Sequence, residues 1–348
     1  MRVMVTGHDG YIGTVLVSLF KRAGHTVVGV DSGMFHQCSF TPTEVTADEE
    51  LWLDIRDLEP RHFEGVDAVV HLAGISNDPL GDLNPETTYA INHRATVHVA
   101  QSAKAAGVPR FVFSSSCSIY GAHGNEVLDE SAEFNPVTPY GTSKVLCERD
   151  LTAMADDDFS PTFLRNATAF GVSPRLRGDL VVNNLTGYAY STGQVLLKSD
   201  GMPWRPLVHI EDISRAFLAV VEAPRELIHL KPYNVGTDEN FRIREVAEIV
   251  AEVVPDSEVT FSPTASADIR NYRVDCSRIR EELPTFQPQW TVRRGVEELY
   301  AAYREFGLSR EQLESARFQR IAHVRQRQAE HRLDDSLRPL ADSEAVGA

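Results

Sequence analysis

The sequence has little with which to cross-link itself, cross a membrane or grip nucleic acid. Only four cysteines, Cys38, Cys117, Cys147 and Cys276, occur in 348 residues. Their scattered spacing fits neither a disulfide framework nor a metal cluster, so they read as reduced thiols and no metal site is expected. No stretch approaches the roughly eighteen apolar residues of a transmembrane helix. Positive charge is scarce: 34 Lys and Arg against 50 Asp and Glu leave a formal charge of −16. That argues against nucleic acid and anionic membranes as partners. An apolar strand pattern starts at residue 2, so no leader peptide is expected and the cytoplasm is the expected compartment. Internal repeats and low-complexity blocks are also missing. What remains, 42% hydrophobic and 24% charged, is ordinary for a globular chain long enough for two domains or one enlarged one.

The first thirty-one residues carry the clearest pattern. An apolar run, Met1 to Val5, breaks at Thr6-Gly7-His8-Asp9-Gly10-Tyr11-Ile12-Gly13. A helical period follows at Ile12, Val15, Leu16, Leu19 and Phe20, and a second apolar run, Thr26 to Val30, ends on Asp31. Strand, glycine turn, helix, strand and acid make one βαβ dinucleotide-binding unit. Gly7 permits the turn out of the strand, Gly10 lets a pyrophosphate approach the backbone, and Gly13 lets the helix pack close to the sheet. The N–H groups of the helix's first turn, at Tyr11 and Ile12, and its dipole suit phosphates. Asp31 is placed to accept both ribose hydroxyls of an adenosine. It would repel a 2′-phosphate, and no Arg or Lys follows within five residues, so NAD is favoured over NADP.

Further along, Leu51-Trp-Leu-Asp54-Ile55-Arg-Asp57 reads as a short strand into a turn. Asp54 can reach an adenine amino group or cap the turn. Val66–Leu72 is a near-continuous apolar strand, as expected when both faces are covered. It ends at Leu72-Ala73-Gly74, where small residues let the dinucleotide backbone pass. A helical period from Pro85 to Gly107 carries Asn92 on or beside its apolar face. That amide is either a structural tie or a support for a catalytic lysine through a water. Strand Pro109–Phe113 runs into Ser114-Ser115-Ser116, whose hydroxyls at a strand's carboxyl end point into the ligand crevice.

Pro139 opens the next helix, and Tyr140 and Lys144, four residues apart, share one face of it. A phenol, with an ordinary pKa of about 10, is a poor base at neutral pH. A neighbouring ammonium and an oxidised nicotinamide stabilise its phenolate. Tyr140 could then take a hydroxyl proton as hydride leaves the same carbon, with Ser116 hydrogen-bonded to that oxygen.

On these residues the chain resembles the extended short-chain dehydrogenase/reductase family, the group of nucleotide-sugar epimerases and dehydratases. The resemblance rests on Thr6-Gly-x-x-Gly-x-x-Gly13, Asp31, Asp54-Ile55, His71-Leu-Ala-Gly74, Asn92, Ser114-Ser-Ser116 with Tyr120-Gly121, and Tyr140-x-x-x-Lys144. It covers residues 1 to 305. It implies an α/β fold: a Rossmann-type, doubly wound parallel sheet with a smaller C-terminal substrate-binding domain. The expected division is 1–170, with 206–236 returning to it, for NAD; 171–205 and 237–308 for substrate; and 309–348 as a helical and disordered tail. The resemblance implies that Ser114 and Asn92 also serve the cofactor. It further implies that Ser76, Ser116, Asn166, Thr168, Asn184, Arg205 and Arg270 face a nucleotide-diphosphate sugar, and that the protein is a homodimer. In a chain of charge −16, Arg205 and Arg270 would give diphosphate a local positive field and forked donors; the alternative is ordinary surface arginines. Arg175 and Arg177, as loop arginines, rank below them.

Two departures bear on the reaction. Family dehydratases and decarboxylases place an acid between the catalytic Ser or Thr and Tyr-Gly, where this chain has Cys117 and Ser118. A 4,6-dehydratase is therefore disfavoured. After the sixth strand the family often reads Arg-Tyr-Phe-Asn, where this chain has Arg165-Asn166-Ala167-Thr168. The leading expectation is an NAD-dependent nucleotide-sugar 4-epimerase. A reductase of a 4-keto nucleotide sugar comes second, and a non-catalytic dinucleotide sensor third. The tail from Ser309 carries a plausible amphipathic helix to about residue 331, packing on its own chain or on a second subunit, and then an end expected to be disordered.

Overall fold

The computed structural model describes residues 1–76, 84–237, 239–262 and 271–340. Its centre is a seven-stranded, wholly parallel sheet built from β1 (Arg2–Thr6), β2 (Thr26–Asp31), β3 (Glu49–Trp52), β4 (Ala68–His71), β5 (Arg110–Ser116), β7 (Ser160–Asn166) and β11 (Pro232–Val235). Their spatial order is β11-β7-β5-β4-β1-β2-β3. The order reverses beside β1, which opens a crevice at the carboxyl ends of β1 and β4. β4 and β7 are buried along their whole length, and β5 in all but its first residue. That is why β4 and the first half of β5 read as continuous apolar runs and not as alternations.

The helix Tyr11–Arg22 shows how the sequence builds the crevice. Leu16, Val17, Leu19 and Phe20 bury one face against the sheet, Lys21 and Arg22 complement the dipole at its last turn, and its first turn holds no acid. The positive end is thus left for a ligand. Gly7 has φ +77°, and a side chain there would meet the Ala73 backbone nitrogen at 2.9 Å. A side chain at Gly13 would stand 2.1 Å from the Gly7 carbonyl oxygen. Both glycines are therefore required by the close approach of strand, turn and helix.

A smaller set of elements covers the carboxyl ends of the strands. It contains β8 (Thr168–Phe170), β9 (Gln194–Leu197), β10 (Trp204–His209), β12 (Asn240–Arg242) and β13 (Glu258–Phe261), with helices Val181–Thr192, Ile243–Val253 and Val292–Phe306 packed on a core of their own. β10 joins the three-stranded sheet β12-β10-β8, so the return to the large sheet runs through helix Ile210–Glu222 and β11. Two further strands, β6 (Ala122–Leu128) and β14 (Asn271–Val274), pair with each other. Residues 334–340, expected to be disordered, instead lie against the large-sheet half: Leu333 bridges Pro339, and Leu337 is buried in its core.

His71, at the end of β4, ties the sheet together. Its Nδ1 is 2.8 Å from the Thr6 hydroxyl and its Nε2 is 2.9 Å from that of Thr96. Burial holds its pKa down to about 3, so the ring stays neutral in the folded state. An unfolded chain takes up this proton below about pH 6.5, so the contribution is complete above that pH and is lost as pH falls towards 3. The slope is about 1.4 kcal/mol per pH unit. We expect urea midpoints to drop between pH 6.5 and 4 more steeply in the natural protein than in His71→Asn. Parallel curves would mean that another group governs acid stability.

Candidate active site

β5 sorts its serines by the two-residue period of a strand. All three border the crevice, but the Ser115 hydroxyl is committed to Glu148, to which it donates at 2.5 Å. The Ser114 hydroxyl accepts from Asn166 Nδ2 at 3.1 Å, and Ser116 caps the short turn Cys117–Ile119 while donating to the Ser118 hydroxyl at 3.1 Å.

The helix Pro139–Met154 brings the phenol and the ammonium to the same place. Thr138 caps it, and a side chain at Gly141 would meet the Ser118 carbonyl oxygen at 2.9 Å, so its first turn packs directly on the serine turn. Lys144 is buried, donates to the Ser114 carbonyl at 2.7 Å, and holds its nitrogen 4.5 Å from the Phe113 ring centroid and 5.6 Å from that of Tyr140. Burial lowers its pKa to about 8. The side chain is still mostly an ammonium at neutral pH, but only just.

These groups line one cleft of about 870 Å³ between the two layers. Of the expected site residues, Gly7, Gly10, Tyr11, Ile12, Gly13, Asp31, Asp54, Ile55, Leu72, Ala73 and Gly74 line one wall. Ser114, Ser116, Tyr140, Lys144, Ser76, Asn166, Thr168, Asn184 and Arg205 line the rest. Asn92 does not line it. Its amide bonds both ways to the Ile75 backbone, at 2.7 and 2.8 Å, and its carbonyl accepts from Thr96 and Cys147. It is a tie from a π turn, Ala90–Arg94, to the loop after β4. Arg270 lies outside the described residues.

The electrostatics suit an anionic ligand. Among the described residues six cationic side chains and three acids line the cleft, the reverse of the balance in the whole chain. Asp31 accepts from the N–H groups of Gly33 and Asp9, and burial raises its pKa above the usual carboxylate range. For Asp54 burial works against ionisation, but hydrogen bonds from Arg56 outweigh it and hold the pKa low. Asp54 caps the turn Ile55–Asp57 and also lines the cleft.

A dinucleotide fits these residues. The glycine turn leaves space that a Cβ would fill, the first-turn N–H groups lack intrahelical partners, and Asn166 Oδ1 is a buried acceptor with no partner among the described residues. Sequence reasoning underrated Arg177, which pairs with Asp179 and donates to the Ser76 hydroxyl at 2.9 Å. It missed Phe35, Arg320 and Leu337, which also line the cleft. No local pattern could have found the last two, because they reach the site only through the folding back of the tail.

The fold and cleft define a Rossmann-type, dinucleotide-dependent enzyme with a serine, tyrosine and lysine at its centre. Residues 3–236 match the model of the NAD dependent epimerase/dehydratase family, and the chain belongs to that family. It is 29% identical over 306 residues to the UDP-glucose 4-epimerase of Mycolicibacterium smegmatis, covering 85% of this chain and 96% of that protein. It is 26% identical over 313 residues to UDP-glucuronic acid decarboxylase 1 of Arabidopsis thaliana, covering 87% and 70%. Among solved structures, MoeE5 in complex with UDP-glucose and NAD superposes with a TM-score of 0.74 at 26% identity, over 88% of this chain and 99% of that one. The cofactor is NAD. Among the described residues no helix is long and apolar enough to cross a membrane.

Proposed function

We propose that this chain is an NAD-dependent 4-epimerase of a nucleotide-diphosphate sugar. The observation that carries the reading is the convergence of Ser116, Tyr140 and Lys144 in a cleft that offers no unengaged carboxylate, among the described residues, beside them. Asp31 and Asp54 belong to the adenosine end, and Asp179 is held by Arg177. The Cys117 thiol, where a dehydratase acid would stand, is buried and donates to the Arg165 carbonyl at 3.0 Å. Loss of water at carbon 6 therefore has no general acid.

Bound NAD supplies a hydride acceptor that can give the hydride back. The protein does the rest. Tyr140 accepts the proton of the sugar's 4-hydroxyl, Ser116 hydrogen-bonds the same oxygen, and the Lys144 ammonium favours the phenolate. Asn184, Thr168 and Arg205 lie on the side formed by the smaller group of elements, residues 171–205 and 237–308, which we assign to the sugar nucleotide. Arg205 is buried with its guanidinium 6.0 Å from the Tyr272 ring centroid, a rigid fork suited to diphosphate.

The test is a panel of UDP-, dTDP-, GDP- and CDP-sugars deuterated at carbon 4, followed by NMR without added cofactor. Epimerisation with the label retained at carbon 4 is expected. Oxidation that needs added NAD or NADP, with the label passing to the released coenzyme, would identify a ketoreductase running in reverse, and a 4-keto-6-deoxy product would identify a dehydratase. We further assign the protein to the cytoplasm as a homodimer. Val145 and Leu146 on the Tyr140 helix are only half-buried in one chain, apolar surface that a second copy would cover. A monomeric mass by light scattering would refute the dimer.

A further inference from the structure

The C-terminal segment returns to the cofactor end of the cleft. Helix Arg320–Ala329 seats Val324 in the core of the large-sheet half. The chain then turns, and residues 333–340 lie against the turn that follows β3 and the start of helix Pro85–Tyr89. Leu337 is buried and lines the cleft. The segment is pinned on both sides of it: Arg338 pairs with Asp57 at 2.6 Å, Arg56 donates to the Ser336 carbonyl at 2.8 Å, and the Thr87 hydroxyl donates to that of Asp335 at 3.0 Å.

Arg320, which opens the helix, carries a charge left without a carboxylate of its own among the described residues. It is 5% exposed and lines the cleft. Its Nη2 donates to the Arg175 carbonyl at 3.1 Å, its Nη1 has no hydrogen-bond partner among the described residues, and its guanidinium sits 4.3 Å from the Phe35 ring centroid. The nearby acid Asp179 is engaged by both arms of Arg177, at 3.0 and 2.8 Å. Burial pulls the Arg320 pKa down, as expected for a desolvated cation. An unpaired buried guanidinium is costly, and a ligand anion would offset the cost.

Its surroundings say which anion. The Arg175 backbone N–H donates to the Ser173 hydroxyl, which in turn donates to the Tyr11 carbonyl at 2.8 Å, in the first turn of the glycine helix. Arg320 is therefore joined through Arg175 and Ser173, by three hydrogen bonds, to the turn whose free N–H groups suit a pyrophosphate. Phe35, against its guanidinium, lies four residues past Asp31. We propose that Arg320 is a ligand of the cofactor's pyrophosphate and that residues 320–340 form a strap that retains the dinucleotide. The proposal rests on this cleft being the NAD site and is independent of which sugar reaction follows. These residues lie beyond the family match, which ends at residue 236.

The experiment compares the natural protein with Arg320→Met, Arg320→Lys and Arg338→Glu. It measures ADP and adenosine affinity by calorimetry on protein freed of NAD, NADH release by fluorescence chase, and apo thermal stability. Arg320→Met should weaken ADP by roughly tenfold or more, the scale of one lost charge-assisted hydrogen bond, and leave adenosine unchanged. Its apo form should be at least as stable as the natural one, because a desolvated charge is gone. Arg320→Lys should recover part of the ADP affinity, and Arg338→Glu should speed NADH release by loosening the strap. Equal ADP affinity in Arg320→Met would leave Arg320 as a tie to the Arg175 backbone and overturn the proposal. Equal losses for ADP and adenosine would overturn it too. If the natural protein bound no ADP, the assignment of the cleft to NAD would itself fail, which is a separate result.

Discussion

Replacing Tyr140 with Phe is expected to lower turnover by about 10²- to 10⁴-fold, the usual worth of a positioned proton-transfer group, while NAD still co-purifies with the protein. On the proposed mechanism the phenol moves the hydroxyl proton, whereas the ring itself contributes packing that Phe retains. The prediction has a pH signature. Lys144 keeps its ammonium below a pKa of about 8, so the support it gives to a phenolate is present at neutral pH and is lost as pH rises past that value. The natural enzyme should therefore lose rate above about pH 8. Lys144→Met, with nothing to titrate there, should be slow at every pH and lack that limb. Steady-state rates across pH 6–10, with released NAD quantified for each variant, provide the check. Full activity in Tyr140→Phe would remove the tyrosine from the mechanism, and an alkaline limb surviving in Lys144→Met would assign that limb to another group.

The parts of this molecule that sequence made legible are those in which a local repeat has a local cause. The glycine turn was readable because three glycines at fixed spacing answer three close approaches. Two of those approaches are measurable as the collisions that a Cβ would make with Ala73 and Gly7. Tyr140 and Lys144 were readable because four residues is about one turn of a helix. Asn92 was legible only as a question: a buried amide must be bonded, but its spacing did not say that Ile75 would take both of its groups. The tail marks the limit. Arg338 meets Asp57 and Arg56 meets Ser336 across some 280 positions of sequence, and no periodicity reaches that far. The amphipathic pattern announced a helix with an apolar face, and only packing decided that Val324 would use it within its own chain.

Glu148→Ala is expected to destabilise the protein by about 3–5 kcal/mol, the usual result of stripping one partner from a buried ion pair. Glu148 and Arg165 have side chains only 6% and 4% exposed. The guanidinium meets the carboxylate with two arms, at 2.7 and 3.1 Å, and gives Nη1 to the Tyr120 hydroxyl and the Glu130 carbonyl. The Ser115 hydroxyl completes the carboxylate's shell, while the Tyr120 hydroxyl donates to Asn234 on β11. One turn beyond Lys144, this network fixes the catalytic helix to β5 and β7, so its loss should also misplace Tyr140 and lower kcat. In Glu148→Ala the Arg165 charge stays buried without its paired carboxylate, and that, more than the missing attraction, sets the size of the effect. The double variant Glu148→Leu/Arg165→Met should therefore be more stable than Glu148→Ala alone, because both desolvated charges are gone. Urea unfolding of the three proteins measures the difference. A double variant no more stable than the single one would show that the pair contributes chiefly by mutual attraction, and that desolvation of the orphaned arginine is the smaller effect.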